Sequence, residues 1–332
     1  MIYPDSTAVT YTFDKASRLT SLLDWASRLT GYEYNPDGSL KSVTNFNGTT
    51  ASYTYDNALR LTDLWNKQGS NTINRHTYTL DAAGNRTQVD EVLAQVGGGS
   101  MNQTLGYGYD KLYRLTTVDA PDGDSAYKYD PVGNRLTLTR GSATTYTYDK
   151  ADRITAAGAV SYTVNANGNL TTRGNDTFAY DQANRLKTAS VGGTSASYTY
   201  DGDGKGASKT VGGNTTSYVY DAKRSLPVVL DDGERKYVWG PGLISQTDGS
   251  GNLTYFLGDG LGSTRALTDD TGNFVATGGY DVLCAIHPSM RTAGADGCSR
   301  ERWGLDVCAG LCRLLDNEEA RRAGGNMVYH AL

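Results

Sequence analysis

Tyr53-Thr54-Tyr55-Asp56, followed by Arg60-Leu61-Thr62, is the stretch on which the reading of this chain turns. Two aromatics at i and i+2 fall on one face of a β-strand, because side chains alternate with period two. The Asp that follows suits a turn, where its carboxylate accepts backbone N–H bonds. Arg-Leu-Thr then opens the return strand and offers Leu to the buried face. Each such segment predicts one hairpin.

The segment returns along most of the chain. It stands as Tyr11-Thr12-Phe13-Asp14 with Arg18-Leu19-Thr20, and as Tyr107-Gly108-Tyr109-Asp110 with Arg114-Leu115-Thr116. It recurs as Tyr127-Lys128-Tyr129-Asp130 with Arg135-Leu136-Thr137, and as Tyr146-Thr147-Tyr148-Asp149 with Arg153-Ile154-Thr155. Weaker copies begin at Tyr32, Tyr78, Tyr162, Phe178, Tyr198, Tyr218, Tyr237 and Tyr255. Successive starts lie roughly 20 residues apart, which marks one structural unit stacked many times. Gly84-Asn85, Gly133-Asn134 and Gly168-Asn169 supply residues that tolerate positive φ at tight hairpins. Asp24-Trp25-Ala26-Ser27-Arg28-Leu29-Thr30 copies Asp14 to Thr20 without the aromatic pair and reads as one extra hairpin arm.

Composition agrees with a packed β protein. Of 332 residues, 40 are Gly and 24 are Tyr, against 5 Phe and 4 Trp. Hydrophobic residues make up 38%, enough with the glycines to bury a core, so disorder is not expected. A net charge of −5 with 20% charged residues gives no basic field for nucleic acid or an anionic membrane. No apolar run is long enough to span a membrane as a helix, and residues 1–14 show no signal-peptide pattern. The four cysteines, at 284, 298, 308 and 312, leave the body without any disulfide or thiol site.

No stretch carries a convincing catalytic, cofactor or metal signature. Asp201-Gly202-Asp203-Gly204-Lys205-Gly206 opens like a calcium loop, but Gly212 stands where the twelfth-position acid belongs, so a hairpin loop is the better reading. Gly258 to Gly262 is glycine-rich without dinucleotide-binding spacing and reads as a structural turn. Cys308 and Cys312, with Cys284, Cys298, His287 and His330, lack zinc-site spacing. His76 has no partner signalled. Asn47-Gly48-Thr49 and Asn214-Thr215-Thr216 are glycan sequons only in a eukaryotic secretory chain, and otherwise follow from turn composition. The tyrosine rows are expected to pack against adjacent repeats, with sugar stacking as the alternative.

The segment Tyr-x-Tyr-Asp with Arg-Leu-Thr resembles the YD repeat of bacterial RHS proteins, insecticidal toxin-complex components and animal teneurins. Tyr237 to Ile244, then Leu257-Gly258-Asp259-Gly260-Leu261-Gly262-Ser263-Thr264-Arg265, resembles the start of the RHS-associated core with its D-x-L-G-S-T-R hallmark. The resemblance covers residues 11–281. It implies an all-β spiral of YD-repeat hairpins forming part of a cocoon-like shell. It singles out Asp259, Leu261, Gly262, Ser263, Thr264 and Arg265 as core-motif residues. Tyr53, Tyr55, Asp56, Arg60, Leu61, Tyr107, Tyr109, Asp110, Arg114 and Leu115 are its repeat-motif residues, all structural.

The resemblance further implies a secreted or surface-delivered polymorphic toxin. Its repeats would confine a C-terminal effector, with that effector and secretion-system components as partners. A surface adhesion or carbohydrate-binding module is the alternative. The expected divisions are a lead-in at 1–10, repeats at 11–236, the start of the core at 237–281 and a divergent tail at 282–332. The family pattern breaks after Asp281, where a closing Tyr-Tyr-Arg stretch and autocleavage motif are missing. The tail is read either as a variable effector or, preferably, as sequence grafted by a frameshift, rearrangement or truncation. It is expected not to continue the sheet, and to be poorly ordered or a short helical patch.

Overall fold

The computed structural model describes residues 1–95, 97–221, 223 and 227–277. The chain is all-β: 28 strands run from Thr10–Phe13 to Phe274–Thr277, with no helix among the described residues. Twenty-one of them belong to one sheet and seven, from Val219–Asp221 onward, to a second. Within each sheet, strands adjacent in the chain pair antiparallel, as in Thr49–Tyr55 with Leu61–Gln68 and Leu253–Gly258 with Thr264–Thr268. The readings of the cysteines, His287, His330 and the 282–332 tail lie outside the described residues.

Two compact units divide these strands. Among the described residues, the first draws on 1–108, 118–121 and 235–277 and the second on 109–117 and 122–234. In the first, Ile73, Leu257 and Ala266 pack together with Phe274 against them. Tyr3 and Val9 are also buried there, and the Tyr3 ring meets Trp25 edge-on at 5.2 Å. In the second, the buried side chains include the first aromatics of the repeats, Tyr127, Tyr146 and Phe178, and the run Val228–Leu230. Its opposite face carries hydroxyl pairs such as Thr147–Thr155 at 2.8 Å and Thr199–Ser208 at 2.7 Å.

A β-bulge resets the alternation in each aromatic hairpin. Tyr53 opposes Leu64 and Thr54 opposes Asp63, but Tyr55 opposes Leu61, so Thr62 is the extra residue. The same shift occurs at Phe13/Leu19, Tyr129/Arg135 and Tyr180/Leu186. The Thr62 hydroxyl donates to the Thr54 carbonyl at 3.2 Å, and Thr20 does the same to Thr12 at 3.1 Å. This corrects the expected burial of the repeat leucines. Leu61 and Leu115 are only half-buried, while Leu64 and Val118, three residues further on, are 2% and 3% exposed. The bulge returns the fourth residue of Leu-Thr-x-x to the aromatic face.

The Asp24 segment makes a turn of the ordinary kind between Leu19–Leu23 and Leu29–Tyr34. The duplicated half-unit therefore adds one strand, and its turn lies at the end of the sheet opposite the Tyr-Asp turns.

Candidate functional site

The repeat-motif residues build a clip at the Tyr-Asp turns whose fifth residue is arginine. In the Asp56 turn the Asp56 N–H donates to the Arg60 carbonyl, and the Leu59 N–H donates to the Asp56 carbonyl. Asp56 Oδ1 accepts from the N–H groups of Ala58 and Arg60, both at 2.9 Å. Asp56 Oδ2 accepts from Arg60 Nε at 2.7 Å. The Asp110–Arg114 turn repeats these bonds, with the Nε contact at 2.7 Å. One carboxylate thus satisfies two backbone donors and fixes its own arginine.

That arginine also reaches the next repeat. Arg60 donates to the Asp81 carbonyl and Arg114 to the Asp130 carbonyl, each at 2.8 Å. The Arg114 guanidinium lies 4.9 Å from the centre of the Tyr129 ring, and Arg18 lies 4.8 Å from Tyr34. The hydroxyls of these tyrosines donate back to Leu115 and Leu19 carbonyls, at 2.8 and 2.9 Å. Each ring of this kind is covered by a cation and tied by its hydroxyl to the preceding hairpin. Tyr55 and Tyr109 are half-buried at the corresponding positions of their strands, and so are Tyr53 and Tyr107, the first aromatics of the same pairs.

Two turn chemistries occur along the array. Where Asp or Asn opens the turn, the fourth residue has positive φ. It is glycine in one class, as at Gly84 (φ 92°) and Gly133 (φ 101°), and the fifth residue is then Asn, Ser, Thr or Lys. In the other class it is Ser17, Ser27, Leu59, Tyr113, Asp152 or Asn184, all near φ 60°. Each of those six turns has Arg fifth, bound through Nε to the opening Asp at 2.6–2.8 Å. Left-handed backbone costs a non-glycine residue about 1–2 kcal/mol, and the arginine clip offsets it. Asp201 of the suspected calcium loop belongs to the glycine class: its Oδ1 accepts from the Asp203 and Lys205 N–H groups at 3.0 and 2.8 Å.

The core motif is a variant of the same turn, seated on the early hairpins of the first unit. Asp259 Oδ1 accepts from the Leu261 and Ser263 N–H groups at 2.8 and 3.0 Å, and Gly262 holds φ 85°. Leu261 projects outward at 68% exposure. Gly260 donates its N–H to the Tyr78 hydroxyl at 2.7 Å, and a Cβ there would fall 2.7 Å from Leu61 Cδ2. Only glycine fits that approach. Asn66 donates to the Gly258 carbonyl at 2.9 Å, and Asn47, buried rather than offered as a sequon, donates to Thr268 Oγ1 at 3.1 Å.

Arg265 stands two residues beyond the usual arginine position, after Thr264 opens the strand Thr264–Thr268, and turns inward. It contacts Glu91 through Nη1 at 2.8 Å and Nη2 at 2.9 Å, with Asp259 Oδ2 at 3.7 Å from Nη1. Glu91 also accepts from Gln103 Nε2 at 2.6 Å and meets His76 Nδ1 at 3.0 Å. Burial pushes the Glu91 carboxyl up, but the His76 and Gln103 hydrogen bonds and the Arg265 charge outweigh it and hold Glu91 at about 2. His76 and Glu91 are directly opposed on neighbouring strands, at 0% and 3% exposure. The sequence reading found Arg265 but neither His76 nor Glu91 as its partner. The available signal was that Asn74, His76 and Tyr78 share one alternating, buried face.

The assembled groups are a structural lock. The described residues contain no group of three or more His, Cys, Asp or Glu placed to hold a metal ion. No helix among them is long and apolar enough to cross a membrane.

Comparison with known proteins agrees with this architecture. The family model described as Teneurin YD-shell matches residues 67–289. Teneurin-1 of Gallus gallus is 36% identical over 100 residues, which is 28% of this chain and 4% of the teneurin. Teneurin-4 of Mus musculus is 36% identical over 112 residues, or 32% of this chain and 4% of that protein. Among solved structures, the Photorhabdus luminescens Tc holotoxin pore matches 84% of this chain and 18% of its own, with a TM-score of 0.63 at 14% identity. The TcdB2–TccC3 crystal structure matches 86% and 19%, with a TM-score of 0.62 at 14% identity. The chain thus spans a small fraction of the teneurins and under a fifth of the toxin chains it matches.

Proposed function

The chain belongs to the Teneurin YD-shell family, and on that premise we propose that it is a stretch of shell wall from a bacterial RHS-type polymorphic toxin. The wall confines a C-terminal effector until delivery, outside the producing cell or at its surface. Its partners are that effector and the components of the secretion route. Its contribution is enclosure, not catalysis.

The observation that carries this reading is the use to which the aromatic faces are put. Tyr34 and Tyr129 spend their hydroxyls on neighbouring carbonyls and their ring faces on Arg18 and Arg114. A ring so occupied has little left for stacking on a sugar, whereas a wall gains rigidity from each such tie. The division into 1–10, 11–236, 237–281 and 282–332 belongs to the same proposal.

The 36% identity to teneurins supports a second reading, a cell-surface adhesion or carbohydrate-binding module. A glycan array and the genomic neighbourhood decide between the two. A blank array beside genes for an immunity protein or secretion apparatus is the expected result. A specific micromolar sugar ligand without such neighbours overturns it in favour of adhesion.

A further inference from the structure

The chain contains two Asn-Gly pairs, Asn47-Gly48 and Asn167-Gly168, and each fills the third and fourth positions of a turn opened by asparagine. Their backbones match. Gly48 and Gly168 hold φ 80° and 86°, and each donates its N–H to the opening carbonyl, of Asn45 or Asn165, at 2.9 Å. Their side chains differ. Asn47 is 6% exposed, and both ends of its amide are held. Its Oδ1 accepts from the Thr49 N–H at 3.1 Å and the Thr49 hydroxyl at 2.7 Å. Its Nδ2 donates to Thr268 Oγ1 at 3.1 Å and to the Asp269 carbonyl at 2.7 Å. In the other turn Asn165 Oδ1 takes the Asn169 N–H at 3.0 Å, so the Asn167 carbonyl stands outside the clip. Asn167 is exposed, and its Nδ2 donates to Asn184 Oδ1 at 2.8 Å, an acceptor it shares with Asn169 Nδ2.

A glycine after asparagine leaves its own nitrogen free to approach the asparagine side chain, because it has no Cβ in the way. Once the turn opens, that nitrogen gives its proton to solvent base and bonds to the side-chain carbonyl carbon. The bond from that carbon to Nδ2 breaks, and Nδ2 takes up a proton and leaves as ammonia. Water then opens the cyclic imide at either carbonyl, leaving aspartate or its isoaspartyl isomer. Nothing is oxidised or reduced. Asn47 reaches the reacting geometry only by giving up its bonds to Thr49, Thr268 and Asp269, inside the packed first unit. Asn167 gives up a surface bond to Asn184. We infer that Asn167 is a site of spontaneous deamidation, and that the Asn47 pair is protected by its seat on Thr268 and Asp269. The carboxylate formed at 167 can no longer donate to Asn184 Oδ1, so a tie between two turns of the second unit is lost.

The test follows the full-length wild-type chain in mildly alkaline buffer, sampled over time, digested at acid pH and mapped by mass spectrometry. Isoaspartate is located by methyltransferase labelling. A parallel sample in guanidinium chloride gives the rate of each pair without the fold. Expected is conversion at Asn167 at least about tenfold faster than at Asn47 in the folded chain, a margin set by the additional side-chain hydrogen bonds of Asn47. The difference should close on unfolding. Equal rates in the folded chain, a faster Asn47, or a folded Asn167 that stays intact while its unfolded counterpart converts overturns the inference. A difference that persists in the unfolded sample belongs to the neighbouring residues rather than to the fold, and overturns it equally.

Discussion

Arg265 and Glu91 meet through both terminal guanidinium nitrogens, at 2.8 and 2.9 Å, across 174 residues of sequence. The pair is enclosed, with side-chain exposures of 9% and 2%. It fastens the strand Thr264–Thr268 to Arg86–Ala94 within the first unit. Removing one partner leaves a buried charge uncompensated. Arg265→Met should therefore destabilise this unit by about 3–5 kcal/mol. The double change Glu91→Gln with Arg265→Met should recover much of that loss. Urea unfolding of the four proteins in the cycle measures it, and equal losses in single and double variants would count against the lock.

Acid acts on the same pair. Glu91 stands at about 2 in the folded chain against 4.5 for the free side chain. A folded value below the unfolded one stabilises fully above about pH 4.5, and the contribution is lost as pH falls through that window toward 2. Asp149, held at about 2 by Arg153 and backbone N–H groups, titrates in the same range. The wild type should lose stability more steeply across that interval than the Glu91→Gln, Arg265→Met double variant. Urea midpoints followed through the interval provide the comparison, and parallel curves would refute it.

The left-handed fourth position of the arginine turns predicts a gain. Leu59 holds φ 58° and Tyr113 holds φ 59°, and both side chains are largely exposed. Leu59→Gly and Tyr113→Gly should each raise stability by about 0.5–1 kcal/mol, since strain is relieved and little packing is lost. Thermal unfolding reads the change. A fall in melting temperature for both would show that the arginine clip does not carry the strain.

Ties between hairpins are separable from the clips. Tyr129→Phe removes only the hydroxyl bond to the Leu115 carbonyl and keeps the ring under Arg114. The expected cost is about 1 kcal/mol, with faster amide exchange confined to the neighbouring strands. Exchange unchanged around Leu115 would contradict the assignment.

The parts of this architecture that are local were legible in the sequence. Tyr53 and Tyr55 announce a strand face by their spacing, and Asp56 announces a turn by its carboxylate. Arg60 was read only as the start of the return strand. Its two further roles, on Asp56 and on the Asp81 carbonyl, depend on a bulge and on stacking that spacing does not encode. The shift of deep burial from Leu61 to Leu64 has the same origin, because one inserted residue reverses the phase of an alternating pattern. Glu91 was the least legible. Between Asp90 and Val92 it looks like a solvated strand position, and its partner arrives only when a hairpin 174 residues later folds onto it.

The two turn chemistries also order the routes by which one repeat changes into another. A turn that first gains glycine at its fourth position, as Leu59→Gly would, no longer leans on Arg60 and can then exchange that arginine freely. The opposite order passes through a left-handed non-glycine residue, such as Leu59, with no arginine clip to hold it. Divergence among repeats is thus one-way in its early steps: glycine arrives before arginine departs. Copies with the glycine turn, such as the one capped by Asp81 and Asn85, keep the hairpin without the arginine by which a repeat is recognised.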